Sequence, residues 1–200
     1  SFTLNVVKSN TPPDISVPSF PSVAENQTSA LSVTASDADG DALTYTLTGA
    51  DAAAFNISST GVITFNSAPD YETKNSYSIT VNVSDGLTSD SQDLTISINN
   101  LNDNLPEFSG LASSTSVNEN QTAVRTVTVS DLDNDALTYS LTGTDAAAFS
   151  ISSTGVLTFN SPPDYDTQSS YSITVNVSDG STTISKTLTI NIKSHGYMVS

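Results

Sequence analysis

The chain has no cysteine and no tryptophan, and one histidine and one methionine among its 200 residues. Without cysteine, disulfides, thiolate zinc sites and cysteine nucleophiles are excluded. Secretion is not excluded, because a secreted domain does not require a disulfide. Positive charge is equally scarce: four Lys and one Arg face seventeen Asp and four Glu, for a formal net charge of −16. That balance excludes nucleic acid as a partner, since its binding needs a basic patch. It also argues against anionic membrane surfaces and favours cations. No apolar run approaches the roughly 18 residues of a membrane span, so no direct membrane insertion is expected. Catalysis finds little footing when the one histidine, His195, lies near the C-terminus.

What is present is a set of acidic signatures that occurs twice, 94 residues apart (Glu25 to Glu119). Val23-Ala24-Glu25-Asn26, Asp37-Ala38-Asp39 and Asp70-Tyr71-Glu72 recur as Val117-Asn118-Glu119-Asn120, Asp131-Leu132-Asp133 and Asp164-Tyr165-Asp166. Between the copies lies Asn100-Leu101-Asn102-Asp103-Asn104-Leu105-Pro106. Calcium takes six to eight oxygen ligands, and no single loop here supplies that many. Several separate loops and the linker together would. Charge added only for solubility has no reason to be placed this way.

Residues 22–98 align without gaps on 116–192, and 55 of those 77 positions are identical. A period this long is above that of solenoids, so each copy should be a domain. Alternation supports strands: Tyr77, Ile79, Val81 and Val83 point one way while Ser78, Thr80, Asn82 and Ser84 point the other. Leu94, Ile96 and Ile98 repeat the pattern, as do Tyr171, Ile173, Val175 and Val177, then Leu188, Ile190 and Ile192. Asp39-Gly40, Thr60-Gly61 and Asp85-Gly86 mark turns. The runs from Asp51 and Asp145 are the only helix-compatible ones, and each has room for about one turn. With no helix to carry a crossover, a parallel sheet is not expected. The fold class is all-β: two tandem seven-stranded immunoglobulin-like β-sandwiches.

The motifs resemble those of cadherin repeats, specifically the cadherin-like repeats of large secreted bacterial proteins. Glu25 matches the first-strand glutamate, and Asp70-Tyr71-Glu72 matches D-R-E with tyrosine for arginine. Asn100-Leu101-Asn102-Asp103-Asn104 matches D-x-N-D-N with asparagine in the first place. Asp131 and Asp133 match D-x-D, and Asp179 matches the late aspartate of the following domain. The resemblance covers nearly the whole chain. It implies cadherin-type Greek-key sandwiches joined by a calcium-binding linker, with two or three Ca²⁺ at the junction. Glu25, Asp70, Glu72 and Asp103 would hold the first ion. Glu25, Glu72, Asn100, the Leu101 carbonyl and Asp133 would hold the second. Asn102, the Asn104 carbonyl, Asp131, Asp133 and Asp179 would hold the third. The neutral Asn100 should lower affinity at the middle site, because ligand charge tunes calcium affinity.

Boundaries follow from the same offset. Residues 1–10 read as the last strand and linker remnant of a preceding repeat, 11–101 and 102–193 as the two domains, and 194–200 as a tail. The expected setting is extracellular or at the cell surface, within a larger secreted protein. The expected role is a calcium-rigidified adhesion module or stiff spacer, partnered by calcium and another cadherin-like repeat. A calcium-dependent carbohydrate-binding module is the alternative, with a polysaccharide as partner. Against it, no Trp is present, and Tyr45/Tyr139, Tyr71/Tyr165 and Tyr77/Tyr171 recur in matched pairs, as scaffold residues do. Each Asp-x-Asp is also ordinary turn chemistry. An EF-hand reading of Asp37–Asp41 fails, because the twelfth position is Thr48 rather than Glu.

Overall fold

The computed structural model describes residues 9–194. The expected remnant strand at 1–7 and His195 lie outside them. The chain divides into two compact units between Leu101 and Asn102.

In the first unit the strands are β1 (Asp14–Ser16), β2 (Ser22–Ala24), β3 (Ser29–Ser32), β4 (Thr34–Ser36), β5 (Thr44–Thr48), β6 (Phe55–Ile57), β7 (Val62–Phe65), β8 (Ser76–Ser84) and β9 (Ser89–Asn99). A four-stranded sheet runs β2-β9-β8-β5 and a three-stranded sheet β3-β7-β6, while β1 pairs with β4. The nine segments make seven strands. β3 and β4 are one strand interrupted at Val33, and β1 and β2 are one strand that changes partner across the stretch from Val17 to Pro21. Two prolines there, Pro18 and Pro21, have no N–H to give a ladder, which suits a break. The single turn from Asp51 is a 3-10 turn over Ala52–Ala54.

One pairing departs from the sequence expectation. β2 runs parallel to β9, with Val23 opposite Ile98. A parallel pair needs a long crossover, and here the rest of the domain serves as that crossover in place of a helix.

The core follows the period of two. Ile79, Val81 and Val83 on β8 face inward with Leu94, Ile96 and Ile98 on β9, all 4% exposed or less. Burying each such side chain contributes about 1.5–3 kcal/mol. Phe55 and Phe65 stack at 4.4 Å between ring centroids, and Tyr77 meets both edge-on. Gly61 locks the interrupted strand: its carbonyl accepts the Val33 N–H at 2.9 Å. It sits at φ +78°, and a Cβ there would come within 2.4 Å of the Val33 carbonyl oxygen.

The second unit repeats the plan with β10 (Glu107–Phe108), β11 (Ser114–Asn118), β12 (Ala123–Thr126), β13 (Val129–Ser130), β14 (Thr138–Thr142), β15 (Phe149–Ile151), β16 (Val156–Phe159), β17 (Ser170–Ser178) and β18 (Thr183–Lys193). Its sheets run β11-β18-β17-β14 and β12-β16-β15, with β10 on β13, and β11 is again parallel to β18. Phe149, Phe159 and Tyr171 rebuild the aromatic cluster. The matched aromatics are therefore mostly scaffold, as their repetition indicated.

Candidate metal centre

Glu25 directly follows β2 and is 2% exposed. Its carboxylate is held on both sides: Oε2 accepts the Tyr71 N–H at 2.7 Å and Oε1 the Leu101 N–H at 2.8 Å. The next residue, Asn26, takes a left-handed backbone (φ 64°) and donates its N–H to the Pro69 carbonyl. Those bonds dock the Asp70-Tyr71-Glu72 turn beside Glu25. Glu25, Asp70 and Glu72 each bring a carboxylate oxygen within 4.8 Å of the others. Asp70 accepts the Thr73 hydroxyl and the Thr73 and Glu72 N–H groups. The Thr73 hydroxyl does most to hold Asp70 below the usual carboxylate range, so it stays ionised at neutral pH. Asn100 and Leu101 end the first unit directly after β9, Leu101 through the bond to Glu25.

The second unit gathers the other residues. Asp133 is 6% exposed, and its Oδ2 accepts the N–H groups of Asp103 and Asn104 at 2.9 and 2.7 Å. Asn104 Nδ2 donates to Asp133 Oδ1 and to Asp103 Oδ1, both at 2.8 Å. Asn102 Nδ2 donates to the Asp179 carbonyl at 3.0 Å. Asp179, also 6% exposed, accepts the Ser181 and Thr182 N–H groups and the Thr182 hydroxyl. The Thr182 N–H leads in holding its carboxyl below the ordinary range.

Asp131, Asp133 and Asp135 form a second carboxylate triplet with oxygens within 4.8 Å of one another. Asp131 Oδ2 and Asp135 Oδ2 are buried and accept no hydrogen bond. A buried polar atom left without a partner costs about 1–3 kcal/mol, more when it is charged. Burial, then the charges of Asp131, Asp133 and Asp179, pushes the Asp135 carboxyl above its ordinary value. Such a cluster suits a cation: an ion would relieve the mutual repulsion and satisfy the orphaned oxygens. The residues present thus fit calcium. Asp135 was missed at the sequence level, although the spacing Asp131, Asp133, Asp135 is itself the signal.

The first unit has the matching triplet Asp37, Asp39 and Asp41, also within 4.8 Å. Here the turn chemistry is explicit: Asp37 Oδ1 accepts the Asp39 and Asp41 N–H groups at 2.8 and 3.1 Å. Asp39 Oδ2 accepts the Thr11 N–H at 2.6 Å, and Asp85 Oδ2 accepts Asn10 Nδ2 at 2.8 Å. Backbone donation from Thr88, followed by Asn10, keeps Asp85 strongly acidic.

A family profile described as cadherin domain matches residues 19–99 and again 113–193. The chain belongs to the cadherin family, as two tandem cadherin domains. Mouse cadherin-related family member 2 is 37% identical over 86 residues, 42% of this chain and 7% of that protein. Chitinase A of Pseudoalteromonas piscicida is 28% identical over 190 residues, 92% of this chain and 22% of that protein. The chain thus spans under a quarter of these relatives. Human protocadherin-24 EC1-2 superposes with a TM-score of 0.76 at 25% identity, covering 94% of this chain and 100% of that one. Mouse cadherin-23 EC22-24 gives 0.74 at 28% identity, covering 92% of this chain and 65% of that one. Cadherin domains bind calcium as a family, which agrees with the acidic clusters in both units. Among the described residues, no helix is long and apolar enough to cross a membrane.

Proposed function

We propose that this tandem is a calcium-rigidified extracellular module, acting in adhesion or as a stiff spacer within a longer protein. Glu25, Asp70, Glu72, Asn100 and the Leu101 carbonyl would supply ligands from the first unit. Asn102, Asp103, the Asn104 carbonyl, Asp131, Asp133 and Asp179 would supply them from the second. The observation that carries this reading is a tight carboxylate triplet in each unit, tied into the chain on either side of the Leu101–Asn102 bond. Two or three ions shared by these residues would replace carboxylate repulsion with common coordination and stiffen the linker. The chain's own part is to pre-orient the oxygens: Glu25 is clamped by two N–H groups, Asp133 by three donors and Asp179 by Thr182. Extracellular sites of this kind bind at about 10⁻⁴–10⁻³ M. Calorimetric titration should find two or three sites. Small-angle scattering should show a particle that is longer and stiffer in calcium than in chelator, and equal profiles would refute the reading.

A polysaccharide partner is the second reading, motivated by the whole-length likeness to part of a protein named chitinase A. Among the described residues aromatic platforms for it are few, since Phe55, Phe65, Phe149 and Phe159 are buried. Exposed Phe20 and Tyr165 are the residues such a partner would use. Absence of calcium-dependent pull-down on chitin would remove it.

A further inference from the structure

The loop after β13 carries a carboxylate that the D-x-D motif does not include. Asn134 adopts a left-handed backbone (φ 60°), which curls the chain until the Asp135 N–H lies 3.4 Å from Asp131 Oδ1. Asparagine tolerates that conformation where most side chains do not. The turn carries the Asp135 side chain back over the motif, and oxygens of Asp131, Asp133 and Asp135 come within 4.8 Å of one another. Two oxygens bound to one calcium are separated by at most about 5 Å, twice a bond of roughly 2.4 Å. Each pair of the three is therefore close enough to share one calcium.

Hydrogen bonding separates this carboxylate from its neighbours. Asp133 accepts from Asp103 and Asn104, and Asp179 from Ser181 and Thr182. Asp135 Oδ2 and Asp131 Oδ2 are buried and receive no hydrogen bond at all. A pair of buried, donorless carboxylate oxygens beside a third carboxylate is an arrangement that protein donors alone do not explain.

We propose that Asp135 is a direct ligand of the calcium held by Asp131 and Asp133, so that this loop gives three carboxylates where the motif gives two. The inference rests on the calcium reading above. Added ligand charge raises affinity, so this ion should be among the tightest bound by the chain.

The test is calcium calorimetry on the full chain and on Asp135→Asn, with thermal unfolding of both in chelator and in excess calcium. The expected result is an affinity lower by about tenfold at one site, the other sites unchanged, and a smaller calcium-dependent rise in Tm. In chelator the variant should melt at the same temperature as the parent or higher, because one repelling carboxylate is gone. Parent-like calcium affinity in the variant would overturn the assignment. So would a lower Tm in chelator, which would make Asp135 structural. If the parent itself takes up no calcium, the broader calcium reading fails first.

Discussion

The loops Asp37–Asp41 and Asp131–Asp135 occupy the same place in the two units but meet different donors. In the second unit the linker runs Asn102-Asp103-Asn104, and three of its donors converge on Asp133. In the first unit the aligned residues are Lys8-Ser9-Asn10. There Asn10 turns instead to Asp85 and Thr88, and the Thr11 N–H takes Asp39. Asp135 is partly buried, whereas Asp41 is exposed. A 94-residue offset that preserves 55 of 77 positions thus leaves the acidic loop intact and changes what closes over it. The teaching is that the carboxylates are a property of the repeat, while a site is a property of the repeat plus the segment before it.

The largest expected effect is one the units share. Gly61→Ala and Gly155→Ala would each place a Cβ within 2.4 and 2.2 Å of the Val33 and Val127 carbonyl oxygens, both at positive φ. Each should cost more than about 2 kcal/mol, seen in denaturant unfolding. A loss confined to one unit would break the equivalence of the two scaffolds.

Glu25 comes next. Its carboxylate accepts two N–H groups, from Tyr71 and Leu101. Glu25→Ala should therefore destabilise by about 1–2 kcal/mol in chelator, and Glu119, which accepts the matching Tyr165 N–H, should respond in the same direction. No loss at either position would mean that the clamp adds nothing.

The smallest effect concerns Asp51 and Asp145. Lys74 pairs with Asp51 and lies 4.7 Å from the centre of the Tyr77 ring, whereas Gln168 takes its place against Asp145. The Lys74 contact, then the Ser78 N–H, holds the Asp51 carboxyl below its ordinary value. Because that pKa is depressed on folding, its contribution is present above the unfolded value of about 3.9 and is lost as pH falls through the folded one. Lys74 is well exposed, so Lys74→Gln should cost about 0.2–1 kcal/mol at pH 7 and flatten the acid dependence of the first unit. An unchanged acid profile would show that the Ser78 bond alone sets Asp51.

Much of this was readable from residue order. The alternation Tyr77, Ile79, Val81, Val83 chose strand and inward face correctly, because a period of two is a local property of the chain. Pairing is not local. Nothing in Ser22-Val23-Ala24 says that its partner is β9 in a parallel register, since that choice is made by the sheet closing around it. The same limit held at the site. Glu25, Asp133 and Asp179 stand out in the motif, and each is buried and held by N–H donors of its own unit. Asp135 is visible in the spacing Asp131, Asp133, Asp135, but the left-handed Asn134 that turns it back toward the other two is not.

The sequence by itself determined a twofold all-β repeat, an excess of short carboxylates, and a linker rich in oxygen ligands, all consequences of composition and periodicity. Only the tertiary structure decided which carboxylates are already satisfied and which are not. That distinction depends on where backbone N–H groups point, and their direction is set by turns and by sheet closure rather than by residue type.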